Sequence, residues 1–355
     1  MSDSLFNEGG PNRIRRTGGD TSFMHVSIPE DRDGRIAREC PNQECSPGYF
    51  KVRMGTGITE QYDTAFCPYC RNESDPEGFE TTEQGRYATD VATQEAELEV
   101  GRMFDKAFRL GPTGRRSIGG KFFSMEVSNK AGSRRQIRRP IEEELLRAVV
   151  CPHCGLDHIV FGLANWCPDC GRDIFLTHVQ AECEVVQAIL ADIDRRRTEL
   201  GPRVAARDIE NCLEDVVSTY EAVLKAMYVR ARRESGGNDE DIQRSLQKKI
   251  KNAFQNVEKS AEAFESEFNV PLLLPDNPDL LKKLGSTFGK RHPITHNLGV
   301  VDRKYLETAL SAEKEGREIR VTIEEINEAL SLSLVVFGNL HDRLFHGPEG
   351  RGSTA

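Results

Sequence analysis

The chain has 355 residues, of which 37% are hydrophobic and 30% charged, with a net charge of −9. At ~100–200 residues per domain this implies two or three domains, and the absence of any run approaching ~18 apolar residues excludes a membrane-spanning helix. No apolar stretch near the start marks a secretory leader, so the ten cysteines are expected in a reducing, cytoplasmic compartment, where paired cysteines serve as metal ligands and not as disulfides.

Residues 1–34 are rich in Gly, Asp, Asn, Ser and Arg and read as a flexible arm, as do residues 347–355 at the other end. Residues 35–76 hold four cysteines. Over 88–110 the positions Ala92, Ala96, Val100, Met103, Ala107 and Leu110 recur every three or four residues, which predicts a helix. Phe122–Val127 is strand-like, within a connecting segment spanning 77–147. Residues 148–176 hold four more cysteines around a β-rich His158–Gly162. From 177 to 346 helical periodicities follow one another. The first carries Val185, Val186, Ile189, Leu190 and Ile193, and the second runs from Ile209 to Met227. A third, begun by Asn238 before Asp239-Glu240-Asp241, runs unbroken through Ile242, Leu246, Ile250, Phe254, Val257 and Phe264 to Phe268. A short helix follows around Leu280–Leu284. Thr322 and Glu325 form a capping box for the last helix. Each helix has one apolar stripe, so together they should pack as a bundle.

The second cysteine cluster reads Cys151-Pro-His-Cys154, then Cys167-Pro-Asp-Cys170; the first reads Cys40-Pro-Asn-Gln-Glu-Cys45, then Cys67-Pro-Tyr-Cys70. Roughly 0.3 Cys-x-x-Cys pairs are expected by chance from this composition, and three are present. Two pairs at such separations suit knuckles at the tips of adjacent hairpins, and four soft thiolates suit tetrahedral Zn²⁺. Gly155 and Gly171 should let backbone N–H groups turn toward sulfur. Both clusters resemble zinc ribbons, which implies two structural zinc ions. Four thiolates leave no open position for water, so neither site is expected to be catalytic. Cys183 and Cys212 fall on apolar helix faces, as packed thiols do.

The average charge conceals a segment of opposite sign. Residues 102–139 contain eleven basic residues against Asp105 and Glu126, a local charge of +9 that leaves −18 for the remainder. Arg115, Arg116, Arg134, Arg135, Arg138 and Arg139 are candidate contacts to nucleic-acid phosphates, because guanidinium forks suit phosphate oxygens. The competing reading is a solvated surface, or ion pairing with acidic helices of the same chain. Gly114-Arg-Arg-Ser-Ile-Gly119-Gly120-Lys121 is one residue too long for a phosphate-binding loop, and Phe122 stands where a hydroxyl should hold Mg²⁺.

A last segment reads Arg291-His292-Pro293-Ile-Thr-His296-Asn297-Leu-Gly299-Val-Val-Asp302, with Tyr305 three residues on. An Arg-x₄-His pair alone recurs by chance about 0.8 times in such a composition, but its setting is specific: a histidine after the arginine and an asparagine after the second histidine, inside a helical region. The stretch resembles the HEPN family of helical domains, many of which are ribonucleases. The resemblance covers about 178–346, with its signature confined to 291–305. It implies Arg291 and His296 as catalytic residues, His292 as a supporting polar group, and a homodimer that assembles the site. Pro293 departs from the pattern and should hold His292 extended, with a helix beginning at 293. On an uninterrupted helix Arg291 and His296 diverge by about 140°, so either the helix breaks between them or two copies meet.

The sequence thus predicts an α+β chain: two β-rich zinc ribbons at 35–76 and 148–176 flanking a basic helix-strand segment, followed by a HEPN-like bundle at 177–346. The expected activity is metal-independent RNA cleavage through 2′-OH attack, as in a toxin or defence effector, with RNA as partner. The alternative is a non-enzymatic nucleic-acid-binding or regulatory protein that uses the bundle to dimerise.

Overall fold

A computed structural model describes residues 15–18, 21–58, 64–110, 114–120, 123–129, 134–272, 278–308 and 313–347. The fold is α+β and divides into two compact units between Asp173 and Ile174. Within the segment read as an arm, β1 (Arg15–Gly18) and β2 (Thr21–Phe23) pair antiparallel. The rest of its first twenty residues and the tail from 348 lie outside the described residues, as do Lys121 and Lys130. Among the described residues no helix is long and apolar enough to cross a membrane.

The first unit is organised by one four-stranded antiparallel sheet, in the order β3 (Arg35–Glu39), β4 (Tyr49–Arg53), β10 (Asp157–Val160), β9 (Arg147–Val150). Its central pair, β4 and β10, joins strands more than 100 residues apart, one from each cysteine module. The register places Phe50 opposite Val160, and His158 opposite both Val52 and Val149. These residues share a face and are buried, with the Phe79 ring edge-on to Phe50 at 5.9 Å. The other face carries charge, and that charge is paired. Buried Lys51 reaches Asp31 at 3.1 Å and Glu142 at 3.0 Å, and Asp157 takes Arg35 at 3.0 Å and Arg53 at 2.8 Å. Short ladders β5 (Ala65–Phe66) with β6 (Glu73–Ser74), and β7 (Arg115–Gly120) with β8 (Phe123–Ser128), complete the strands. Between them runs α1 (Thr82–Phe108), opened by a Thr81/Gln84 capping box. The Gln84 amide also donates to the Ala37 carbonyl at 2.9 Å, which fixes the start of α1 to the sheet edge.

The second unit is helical: α2 (Phe175–Ala191), α3 (Ile193–Leu200), α4 (Pro202–Glu234), α5 (Asp239–Ser245), α6 (Val257–Phe268), α7 (Pro278–Gly289), α8 (Arg291–Asn297), α9 (Arg303–Thr308) and α10 (Ile323–Phe345). Helix α4 is the central element, packed by α2, α3, α8 and α10. It buries Leu213, Val216, Tyr220, Val223, Leu224 and Met227, spaced three and four apart along one stripe. Tyr220 is fully buried, with Phe288 of α7 at 5.0 Å and Phe337 of α10 at 5.5 Å.

The expected unbroken helix from 242 to 268 is two helices. After α5 the chain widens into a π turn, Leu246–Ile250, and Lys251 then adopts φ 43°. Asn256 restarts it by accepting the Lys259 N–H at 2.8 Å. Asparagine is a poor helix-interior residue and a good cap, and here local chemistry overrides the apolar period. The Thr322/Glu325 capping box forms as its residues require.

Replacing Phe337 with Ala removes a ring from the centre of this core and should destabilise the chain by about 3–5 kcal/mol, whereas Thr322→Ala should cost about 1 kcal/mol. Urea denaturation followed by helix circular dichroism checks both.

Two tetrathiol centres and an arginine–histidine cleft

Each cysteine cluster closes into a compact tetrad. Cys40 follows β3 and Cys45 precedes β4; Cys67 and Cys70 lie in the turn between β5 and β6. Cys151 and Cys154 sit likewise between β9 and β10, and Cys167 and Cys170 in the turn bracketed by the Trp166–Asp173 bridge. The Sγ separations are 3.6 Å for Cys40–Cys70 and Cys45–Cys67, 3.7 Å for Cys151–Cys170 and 3.5 Å for Cys154–Cys167. A tetrahedron of Zn–S bonds of about 2.3 Å has edges of about 3.8 Å, so both tetrads fit a metal of that size. Backbone N–H groups of Tyr69, His153 and Asp169 point at Cys67, Cys151 and Cys167 sulfurs at 3.4–3.5 Å. Gly155 and Gly171 have positive φ, but their N–H groups bond the Cys151 and Cys167 carbonyls. The sulfur-directed donors thus include the residues two after Cys67, Cys151 and Cys167.

The turns that carry Cys67 and Cys167 are joined by a pair of backbone hydrogen bonds. Phe66 N–H donates to the Pro168 carbonyl at 2.8 Å, and Trp166 N–H to the Pro68 carbonyl at 3.2 Å. Phe66 and Trp166 each precede the first cysteine of their knuckle, so the bonds are reciprocal. Cys183 and Cys212 are buried packed thiols. His153 reaches the Asp173 carbonyl at 3.3 Å, and burial drives the His158 imidazole down to about 4.

Arg291, His292 and His296 line one cleft of about 310 Å³ in the helical unit, walled by α7, α8 and the start of α6. Of the two alternatives set by their divergence, a helix break between Arg291 and His296 or two copies meeting, the first does not occur: both lie on α8, and the chain breaks before Arg291, at Lys290. Nor does Pro293 hold His292 extended. It occupies the third position of α8, inside the first turn, where no intrahelical partner is lost for want of an N–H. His292 and His296 then lie one turn apart, with ring centroids 4.9 Å from each other. Arg291 spans the angular gap by its length. Its Nη1 donates to Gln255 Oε1 at 3.2 Å, and its Nε is buried with no hydrogen-bond partner among the described residues. Gln255 is held in turn by donating to Glu221 of α4 at 2.7 Å. On the other side, Asp302 lies 3.9 Å from His292 Nε2 and accepts from Asn297 at 2.6 Å and the Tyr305 N–H at 2.7 Å. Burial, followed by the Lys304 charge, lowers the His292 pKa from its ordinary value, and Asp302 opposes that shift. Gln255, Asn256 and Glu258 reach the cleft only because the chain breaks before α6, which hid them from a reading based on helical period. A Cβ at Gly285, in its wall, would stand 2.9 Å from Glu258 Oε1 and displace the end of that side chain.

The basic candidates separate. Arg134 pairs with Glu95 at 2.8 Å and Arg135 with Glu97 at 2.6 Å, both acids on α1. Arg138 and Arg139 are exposed, and their carbonyls accept from Arg86 at 3.4 and 3.5 Å. Arg115 and Arg116 are exposed on β7. No family model, curated protein or solved structure matches the chain.

Elemental analysis should find two zinc ions per chain, with Cys70→Ser and Cys170→Ser each removing one, and chelation should disrupt the first unit while bundle helicity persists. By proton-detected titration, His292 should ionise below the usual histidine range. Asp302→Asn, which removes the carboxylate that favours the imidazolium, should lower it further.

Proposed function

We propose that the chain is a metal-independent endoribonuclease of the HEPN type, with two structural zinc ions in its tetrathiol centres. The observation that carries this reading is the single cleft in which Arg291 meets His292 and His296. Cleaving RNA without a metal requires the 2′-OH to lose a proton as its oxygen attacks phosphorus. The 5′-oxygen must gain a proton as its bond to phosphorus breaks, and the negative charge of the pentavalent phosphorane must be stabilised. Two imidazoles one turn apart supply an acceptor and a donor near neutrality. His296, exposed at the cleft mouth, is the principal acid or base, and His292, which burial favours in its neutral form, supports it. Arg291 keeps its charge and offers a fork to the phosphorane oxygens, with Gln255 fixing its direction. The products are a 2′,3′-cyclic phosphate and a 5′-hydroxyl. A homodimer that joins two such clefts, and a role as toxin or defence effector, belong to the same reading.

Cleavage of several RNAs, without added divalent metal, tests it. Arg291→Ala should slow cleavage about 10²–10³-fold and His296→Ala about 10²–10⁴-fold. No cleavage by the parent chain removes the activity, and cleavage that survives both substitutions removes these residues from it.

A further inference from the structure

The most conspicuous surface outside the cleft lies where α1 ends. The buried residues of α1 are Gln84, Gln94, Glu95 and Glu99, all polar. Its large apolar side chains Val100, Met103, Phe104 and Phe108 follow one stripe and are exposed, with the Phe104 and Phe108 rings 4.5 Å apart. The β7–β8 ladder repeats the theme. Ile118 opposite Met125, and Gly120 opposite Phe123, put three apolar side chains on one face, while Ser117, Ser124 and Glu126 take the other. Such alternation belongs to a sheet with one covered face, yet Phe123 is 74% exposed. Hairpin and helix are tied together: Asn129 Nδ2 donates to Gly101 O at 3.1 Å and Asp105 Oδ1 at 2.7 Å, and Arg116 Nη1 to Phe108 O at 3.0 Å.

Charge decides among occupants. At the end of α1 and on the apolar face of the hairpin lie Lys106, Arg109 and Arg116 against Asp105, while Arg102 pairs with Glu99 and Arg115 stands 4.0 Å from Glu126 on the opposite face, in a chain that is acidic elsewhere. A second copy seated face to face would bring like charges together, whereas a polyanion is attracted. A polyanion that also offers flat apolar faces is a single-stranded nucleic acid, whose unpaired bases stack on aromatic rings while guanidinium groups take its phosphates. We propose that the end of α1 and the β7–β8 hairpin form a stacking platform for single-stranded RNA, with Phe104, Phe108 and Phe123 under the bases and Arg109 and Arg116 on the backbone. This deepens the RNA reading above, on which it rests for the choice of polymer. It also moves the contact away from Arg134 and Arg135, whose charges are spent on Glu95 and Glu97.

The test uses the full chain carrying Arg291→Ala, so that RNA stays intact and binding is read independently of cleavage. Fluorescence anisotropy with a labelled oligouridine should show salt-sensitive binding, weaker for a duplex of the same length. Phe123→Leu should weaken it about tenfold and Phe123→Trp should preserve it, since Leu keeps apolar bulk but loses the π face. Phe104→Leu with Phe108→Leu should act like Phe123→Leu, and Arg134→Ala with Arg135→Ala should change affinity less than about twofold. Zinc content and circular dichroism establish that each variant is folded. Absence of oligouridine binding, binding indifferent to the Leu substitutions, or equal affinity for the duplex each overturns the proposal. So does loss, on Phe123→Leu, of binding to phosphatidylserine vesicles or of self-association while RNA affinity stays unchanged.

Discussion

Four thiolates brought within bonding distance of one centre repel one another unless a cation sits among them. That constraint organises the first unit. Each tetrad gathers two turns distant in sequence, and each turn is the tip of a hairpin or bridge, so the strand ends are set by where the sulfurs must meet. A metal held by each tetrad would close loops that a small apolar core would close only weakly. With the tips fixed, β4 and β10 are free to pair. The reciprocal bonds between Phe66 and Pro168, and between Trp166 and Pro68, then follow from the duplicated turn.

The helical unit rests on a different device, a broken period. An unbroken helix from 242 to 268 would carry Gln255 and Asn256 along its axis. The π turn and the positive φ of Lys251 redirect the chain, and the Asn256 cap starts α6 at the wall of the cleft. A second break, at Lys290, precedes α8, on which Arg291 reaches Gln255 while His292 and His296 share one face. Both breaks cost backbone hydrogen bonds. Such costs are commonly retained where they position functional groups.

Opposite charges within the first unit have two separate fates. Acidic residues of α1 neutralise Arg134 and Arg135, so part of the positive charge between the tetrads is internal bookkeeping. Arg109 and Arg116 instead lie beside exposed aromatic side chains at the end of α1 and on the hairpin. Linear charge counting detects the total and is blind to this partition, because pairing depends on which segments fold against each other.

The sequence by itself determined the local chemistry. The thiol spacing marked both tetrads. Asn238, Thr322 and Glu325 announced helix starts, and apolar periodicity announced the central helix from Ile209 to Met227. These are short-range properties, fixed by side chains a few residues apart. The joining of the two cysteine modules into one sheet was decided only in three dimensions, because β4 and β10 share no local signal across more than 100 residues. The same holds for the cleft. Arg291 and His296 were legible as a pair, but Gln255, which orients the arginine, comes from a separate helix junction. Their meeting depends on long-range packing of the helices, of which Tyr220, joining α4, α7 and α10 at one buried ring, is a part.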